Sequence, residues 1–289
     1  MGKATDKLGI SLCMLTAFFF GLSITMAKLA FSYGMSPMTF AAARAFSSVV
    51  VCIAMALAFK SQWRLPKSAG SEVLPVTVLF LLMAFGYPAA MKFVPASIAA
   101  LTFYLFPLIV LAIGSIKERR FPGIRRVSIY LAAFAGLGIV LAPSFEGLNW
   151  LGIVYGMIAA LGAALFTLKI PKIMSETNGM VVNVYANGLN VIVLLGAALV
   201  FGEFMFPGDA MGWFVVSLAG VFFGVASALV VFAVKRTGPV LASIFFNLEP
   251  LVVTVLAAIL FAELLAPVQY IGILIVMGAV MFASWRTAE

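Results

Sequence analysis

The 289 residues are 64% hydrophobic and only 10% charged, with a mean hydropathy of +1.19 and a net charge of +8, far from the half-apolar, quarter-charged make-up of a soluble domain. Histidine is absent, and Cys13 and Cys52, the only two cysteines, sit inside apolar runs; this argues against a histidine-based metal site, a disulfide framework or a histidine proton relay. No stretch between apolar runs is longer than about a dozen residues, so a soluble catalytic or nucleotide-binding domain is excluded and function must reside in the membrane.

Windowed hydropathy predicts ten membrane helices at 8–29, 38–59, 73–91, 96–116, 127–142, 149–168, 181–201, 211–234, 240–261 and 268–285. Lys3 and Lys7 precede the first run, which at about 20 residues exceeds the core of a signal peptide, so it is expected to remain as a helix. Proline and glycine punctuate several connections: Gly34 to Pro37, Lys92 to Pro95, Phe121 to Gly123, Pro207 to Gly208 and Thr237 to Pro239. Alternate connections differ in charge. One set holds Lys3, Lys7, Lys60, Arg64, Lys67, Lys117, Arg119, Arg120, Arg125, Arg126, Lys169, Lys172, Lys235, Arg236 and Arg286; the other holds Lys28 and Lys92 beside Glu146, Glu203, Asp209 and Glu263. The positive-inside rule then places both termini in the cytoplasm. This asymmetry accounts for most of the net charge, so no nucleic-acid role is expected.

The two halves repeat. Gly21 precedes Lys28 by seven residues, as Gly162 precedes Lys169; Pro107 leads to Glu118 through Pro122 as Pro250 leads to Glu263 through Pro267; Tyr130 with Gly138 matches Tyr270 with Gly278. Five spans per copy is an odd number, so the second copy, 146–289, enters the membrane inverted relative to the first, 1–145. Inverted repeats are the architecture of alternating-access transporters, with the substrate site near mid-membrane at the repeat interface. The expected fold is an all-α membrane protein of ten transmembrane helices arranged as two inverted five-helix repeats.

These features, with Arg44 early in the second span, Leu248-Glu249-Pro250 in the ninth and Glu263 four residues before Pro267, resemble the ten-helix EamA-type branch of the drug/metabolite transporter superfamily. The resemblance covers nearly the whole chain, and within the branch it is to bacterial exporters of aromatic amino acids. It implies an inner-membrane exporter of small amphiphilic metabolites, not an enzyme and without a cofactor. The first copy departs from the pattern, with Phe106-Pro107 where the second has Glu249-Pro250.

Asn247 to Pro250 places an amide, a carboxylate and a proline in mid-span. A charge at that depth costs roughly 3 kcal/mol and faces protein or a cavity. In a continuous helix Pro107 and Pro250 free the carbonyls of Phe103 and Phe246, to be met by a substrate amino group, by water, or by neighbouring hydroxyls across a plain kink. Helical spacing puts Ser243, Asn247, Pro250 and Thr254 on one stripe, the expected cavity face, and turns Glu249 towards a neighbouring helix. Glu249 is either a structural acid paired with a cation such as Arg44 or a proton-coupling carboxylate; the structural role is preferred, because no second buried acid is evident. Asn183, Asn187 and Asn190 form another stripe. Asn183 is expected to join helices, and Asn187, opposite Arg44 in the repeat alignment, to contact substrate together with Asn190. Tyr87 and Tyr104 lie well inside spans, and their hydroxyls need partners; they are expected to line the cavity, stacking on an aromatic substrate while the hydroxyls bind its polar end, with plain packing the alternative. Lys28 is a candidate buried cation, while Tyr33 and Trp63 are expected as interfacial anchors. The expected partners are the bilayer and a small-molecule substrate, and a monomer suffices because the repeats pair internally. A sugar-phosphate or nucleotide-sugar transporter is the alternative, weakened because phosphate calls for buried cations and only Arg44 and Lys28 offer them. A non-transporting assembly protein is the alternative of another class.

Overall fold

The computed structural model describes residues 7–58, 67–119, 121–143, 148–261 and 265–285. Lys3, Lys60, Trp63, Arg64, Arg120, Glu146, Glu263 and Arg286 lie outside them, as does the expected division between the repeats at 145 and 146. A chain in lipid must satisfy every backbone amide and carbonyl within itself, and an unbroken apolar run does so as a helix. The helices are α1 (Lys7–Ser32), α2 (Pro37–Ala58), α3 (Lys67–Met91), α4 (Ala96–Phe103), α5 (Phe106–Lys117), α6 (Ile124–Leu141), α7 (Trp150–Glu176), α8 (Gly179–Val200), α9 (Ala210–Thr237), α10 (Pro239–Phe245), α11 (Leu248–Phe261) and α12 (Pro267–Trp285). They make ten stretches long and apolar enough to cross a bilayer, α4 with α5 and α10 with α11 each serving as one broken span. Asn149, Asn178 and Asp209 cap α7, α8 and α9 by accepting from the amides of Leu151, Met180 and Gly212. The glycines at connections serve the turns: Gly123 and Gly238, at φ 77° and 81°, take the left-handed backbone that opens α6 and α10.

The helices pair mainly across the two repeats rather than within them. α1 packs against α9 and α3 against α7, two contacts that exchange under the inversion; α2 pairs with α8 and α6 with α12, each helix meeting its own counterpart. Neither half therefore buries a core alone. The interior is built largely of alanine and glycine, and large apolar side chains such as Val200, Ile192, Leu274 and Met281 stand outward, because lipid gives no reason to bury them and close helix approach needs small residues. Gly220 and Gly224 seat α9 on Ser47 and Val51 of α2, and Gly152 and Gly156 seat α7 on Val94 and Thr102.

The closest approach to a neighbour's backbone is between α6 and α12, where a methyl group added at Gly272 would lie 2.7 Å from the Gly136 carbonyl oxygen. Gly272→Val should therefore cost about 1–3 kcal/mol by overpacking, seen as a lowered thermal midpoint in detergent. Gly188→Ala, which points into open space, should leave that midpoint no lower.

Candidate functional site

Proline lacks the amide hydrogen, and the first turn of a helix is where that loss is harmless. Both mid-span prolines occupy such a turn. α4 ends at Phe103, the amides of Tyr104 and Leu105 fall back on Ala100 and Thr102 at 2.9 and 3.2 Å, and α5 begins with Pro107 as its second residue. In the second repeat α10 ends at Phe245, Phe246 and Asn247 bond back to Ala242 and Ile244 at 3.3 and 3.2 Å, and α11 begins two residues before Pro250. The prolines thus start new helices at matching places in the two repeats.

This corrects the expectation of kinked but continuous helices. The carbonyl of Phe246 is taken by the Glu249 amide at 3.1 Å and does not await a substrate. The proposed stripe through Ser243, Asn247 and Thr254 is interrupted by the break, so its geometry does not hold. Ser243 is fully buried and donates to the Val240 carbonyl at 2.8 Å, the same carbonyl to which the Tyr130 hydroxyl of α6 donates, which seals it in the packing of α10 against α6 rather than against a cavity. Asn247 remains at the break: its amide nitrogen donates to Ile244 at 3.2 Å, and its Oδ1, buried, has no hydrogen-bond partner among the described residues.

The two breaks are joined to each other. The Tyr104 hydroxyl, at the end of α4, faces the carboxylate of Glu249 at the start of α11, near enough to act on it. Tyr104 is only 6% exposed, so it is a link between repeats more than a lining group. Arg44 and Tyr87 lie within electrostatic reach of Glu249. The Arg44 guanidinium is held between the rings of Phe40 and Phe223, at 5.0 and 4.8 Å, a stacking suited to its flat, delocalised cation. Its Nε–H has no acceptor among the described residues, and it acts on Glu249 through its electrostatic field. Tyr87 packs edge-on to Phe103 at 5.6 Å. Arg44, Tyr87 and Glu249 all keep part of their surface accessible. They are carried by α2, α3 and α11.

The asparagine stripe of α8 turns inward. Asn183 donates to the Ser227 carbonyl of α9 at 3.0 Å and accepts from Ser48 of α2 at 3.3 Å, joining three helices as expected. Asn187 donates to the side chain of Asn183 and to its carbonyl. Residue by residue along two helices of 22 residues, Arg44 matches Ala186, one place before Asn187. Asn190 is 2% exposed, and its Oδ1 has no partner among the described residues. The reading of Lys28 as a buried cation is corrected: it is exposed at the end of α1, with its ammonium 4.4 Å from the centre of the Phe261 ring.

One cluster was missed in the sequence. Glu72, in the first turns of α3, has a side chain only 6% exposed; it pairs with Lys169, and with Lys172 at 2.6 Å, both on α7. A second buried acid therefore exists, contrary to expectation. The available signal was a lone acid opening a span on the basic side of the chain, facing two lysines three residues apart on another helix.

Comparison with known proteins places these features in context. A profile of the EamA-like transporter family matches residues 7–142 and 150–285, once in each repeat. GDP-fucose transporter 1 of Dictyostelium discoideum is 24% identical over 242 residues, or 80% of this chain, which spans 65% of that relative's length. An uncharacterised transporter of Clostridium kluyveri is 28% identical over 219 residues, covering 72% of this chain and 69% of its own. A solved crystal structure aligns with a TM-score of 0.78 over 96% of this chain and 98% of its own, at 19% identity, a likeness of fold alone.

The link between the breaks is open to a double-mutant cycle. A hydrogen bond to a charged group contributes about 1.5–3 kcal/mol, so Tyr104→Phe and Glu249→Gln should be non-additive in unfolding free energy by about that amount. Strict additivity would show that the two side chains act independently.

Proposed function

The chain belongs to the EamA-like transporter family, and on that premise we propose that it exports small amphiphilic metabolites, aromatic or apolar amino acids above all, by alternating access. It is a membrane transporter and not an enzyme. In this reading it sits in the plasma membrane, inner in a two-membrane cell, with both termini cytoplasmic, and works as a monomer whose two halves complete each other.

The observation that carries the reading is that Arg44 and Glu249, both partly accessible, lie within electrostatic reach of each other, with the Arg44 Nε–H lacking an acceptor among the described residues. One positive and one negative group match a zwitterion. A substrate carboxylate would meet the flat donor edge of Arg44, and its amino group the acceptors at the second break, Asn247 Oδ1 among them. Asn187 and Asn190 flank the site in this reading, and the rings of Tyr87, Phe40 and Phe223 offer aromatic surface to an apolar side chain.

A nucleotide-sugar substrate is the second reading, favoured by the Dictyostelium discoideum relative. It fits the charges less well. A diphosphate would bring at least two negative charges to one guanidinium with a carboxylate close by, where like charges repel.

Counterflow into proteoliposomes tests both readings. Aromatic amino acids should drive exchange, and Arg44→Ala should weaken apparent affinity by about 10- to 100-fold, the loss of a charged hydrogen bond. Arg44→Lys, which keeps the charge but not the fork, should fall between. Competition by nucleotide sugars and not by amino acids would reverse the assignment. Because Glu249 is engaged by Tyr104, it is assigned to holding the breaks together. Flux in Glu249→Gln should then respond to a proton gradient as the unaltered protein does, and loss of that response would move the residue to energy coupling.

A further inference from the structure

We infer that Glu72, Lys169 and Lys172 form the latch of a gate that closes the transport path on the side carrying the termini. The inference rests on the alternating-access part of the proposed function and is independent of the substrate.

Glu72 belongs to the first repeat and both lysines to the second, so the triad ties the repeats together where α3 meets α7. Each of these helices carries a proline beside the tie. Pro75 lies three residues after Glu72, and Pro171 lies between the two lysines. Each proline removes one backbone hydrogen bond from its helix, which gives the ends of α3 and α7 a place to bend within a turn of the charges that hold them.

Packing there is also incomplete. A small cavity lined by Val76, Phe166, Ile170, Ile173, Val182 and Val231 adjoins the triad, with Val76 one turn from Glu72 and Ile170 and Ile173 beside the lysines. Side chains that border a void forgo contacts on that side, so separating them costs less than parting a filled core.

The symmetry-related pair is built otherwise. Neither α1 nor α9 contains an internal proline. They are joined by the Ser23 hydroxyl on the Ala219 carbonyl at 2.8 Å and by apolar packing of Ala30, Val215, Val216 and Ala219. Beside them, Thr39 donates to the Glu203 carbonyl at 2.6 Å. One end of the molecule is thus held by dry packing with neutral hydrogen bonds, and the other by an acid and two lysines. Dry packing has no substitute once parted, whereas a carboxylate and two ammonium groups regain hydration when they separate, which offsets much of their attraction. Lys169 and Lys172 already expose 31% and 60% of their side chains, so water reaches the triad from outside. A tie of this kind suits two states of similar free energy, as alternating access requires.

The test uses a membrane-impermeant maleimide on Val76→Cys, with Cys13 and Cys52 replaced by serine, in vesicles that expose the side of the termini. With the triad intact, labelling should be slow. Glu72→Gln should speed it about tenfold, and the exchange of Glu72→Lys with Lys169→Glu should return it towards the slow rate. Lys172→Gln, which leaves Lys169 on the carboxylate, should give an intermediate rate and serves if Glu72→Gln does not fold. Unchanged labelling in whichever of these variants elutes intact overturns the latch and leaves the transport reading standing if flux persists. Faster labelling with no flux of any solute keeps the latch and removes the transport reading.

Discussion

The contact on which the centre of this molecule depends is the approach of the Tyr104 hydroxyl to Glu249. A helix that stops in mid-membrane exposes backbone groups that lipid cannot satisfy, so a break survives only where protein or water covers it. Here each break is covered by the other. Tyr104 ends one half-helix and Glu249 begins another, in opposite repeats, and the fallback bonds of Leu105 and Asn247 absorb amides that a continuous helix would have placed. The carboxylate, costly at that depth, is offset by a hydroxyl donor and by the field of Arg44.

That arrangement explains why the duplicated feature and the charged feature differ. Both repeats keep the proline and the break, because both need a half-helix to start in mid-span. Only the second carries a carboxylate, and the first answers with a tyrosine rather than another acid. Two carboxylates facing each other there would repel; a phenol and a carboxylate attract. The same departure from symmetry recurs at the ends of the molecule, where α3 with α7 has internal prolines and a buried acid facing two lysines, and α1 with α9 has no internal proline and is joined by a neutral hydrogen bond and apolar packing. A pair of inverted repeats that alternates between two states is expected to differ in this way, since each state asks one end to hold and the other to release.

Ten spans, most of their ends to within a few residues (α7 runs eight residues past its expected end, to Glu176), and an odd count per repeat were legible in the sequence. Each follows from the length of an apolar run, and a run in lipid has helix as its main outlet. Pro107 and Pro250 as matched features were legible too, because proline acts on its own backbone, and so was the interhelical role of Asn183. What tertiary structure alone decided was the partner of every polar group. Whether a proline kinks a helix or starts a new one depends on what covers the break, and for Pro250 that includes Tyr104, far off along the chain. The face of Ser243 was drawn on a continuous helix that the break divides. Glu72 stayed hidden because its lysines lie 97 and 100 residues away, and no local pattern states which helices will cross. The sequence determined where this chain must be helical; the crossing of its two repeats decided which charges meet, since pairing is a property of neighbours in space and periodicity is a property of neighbours along the chain.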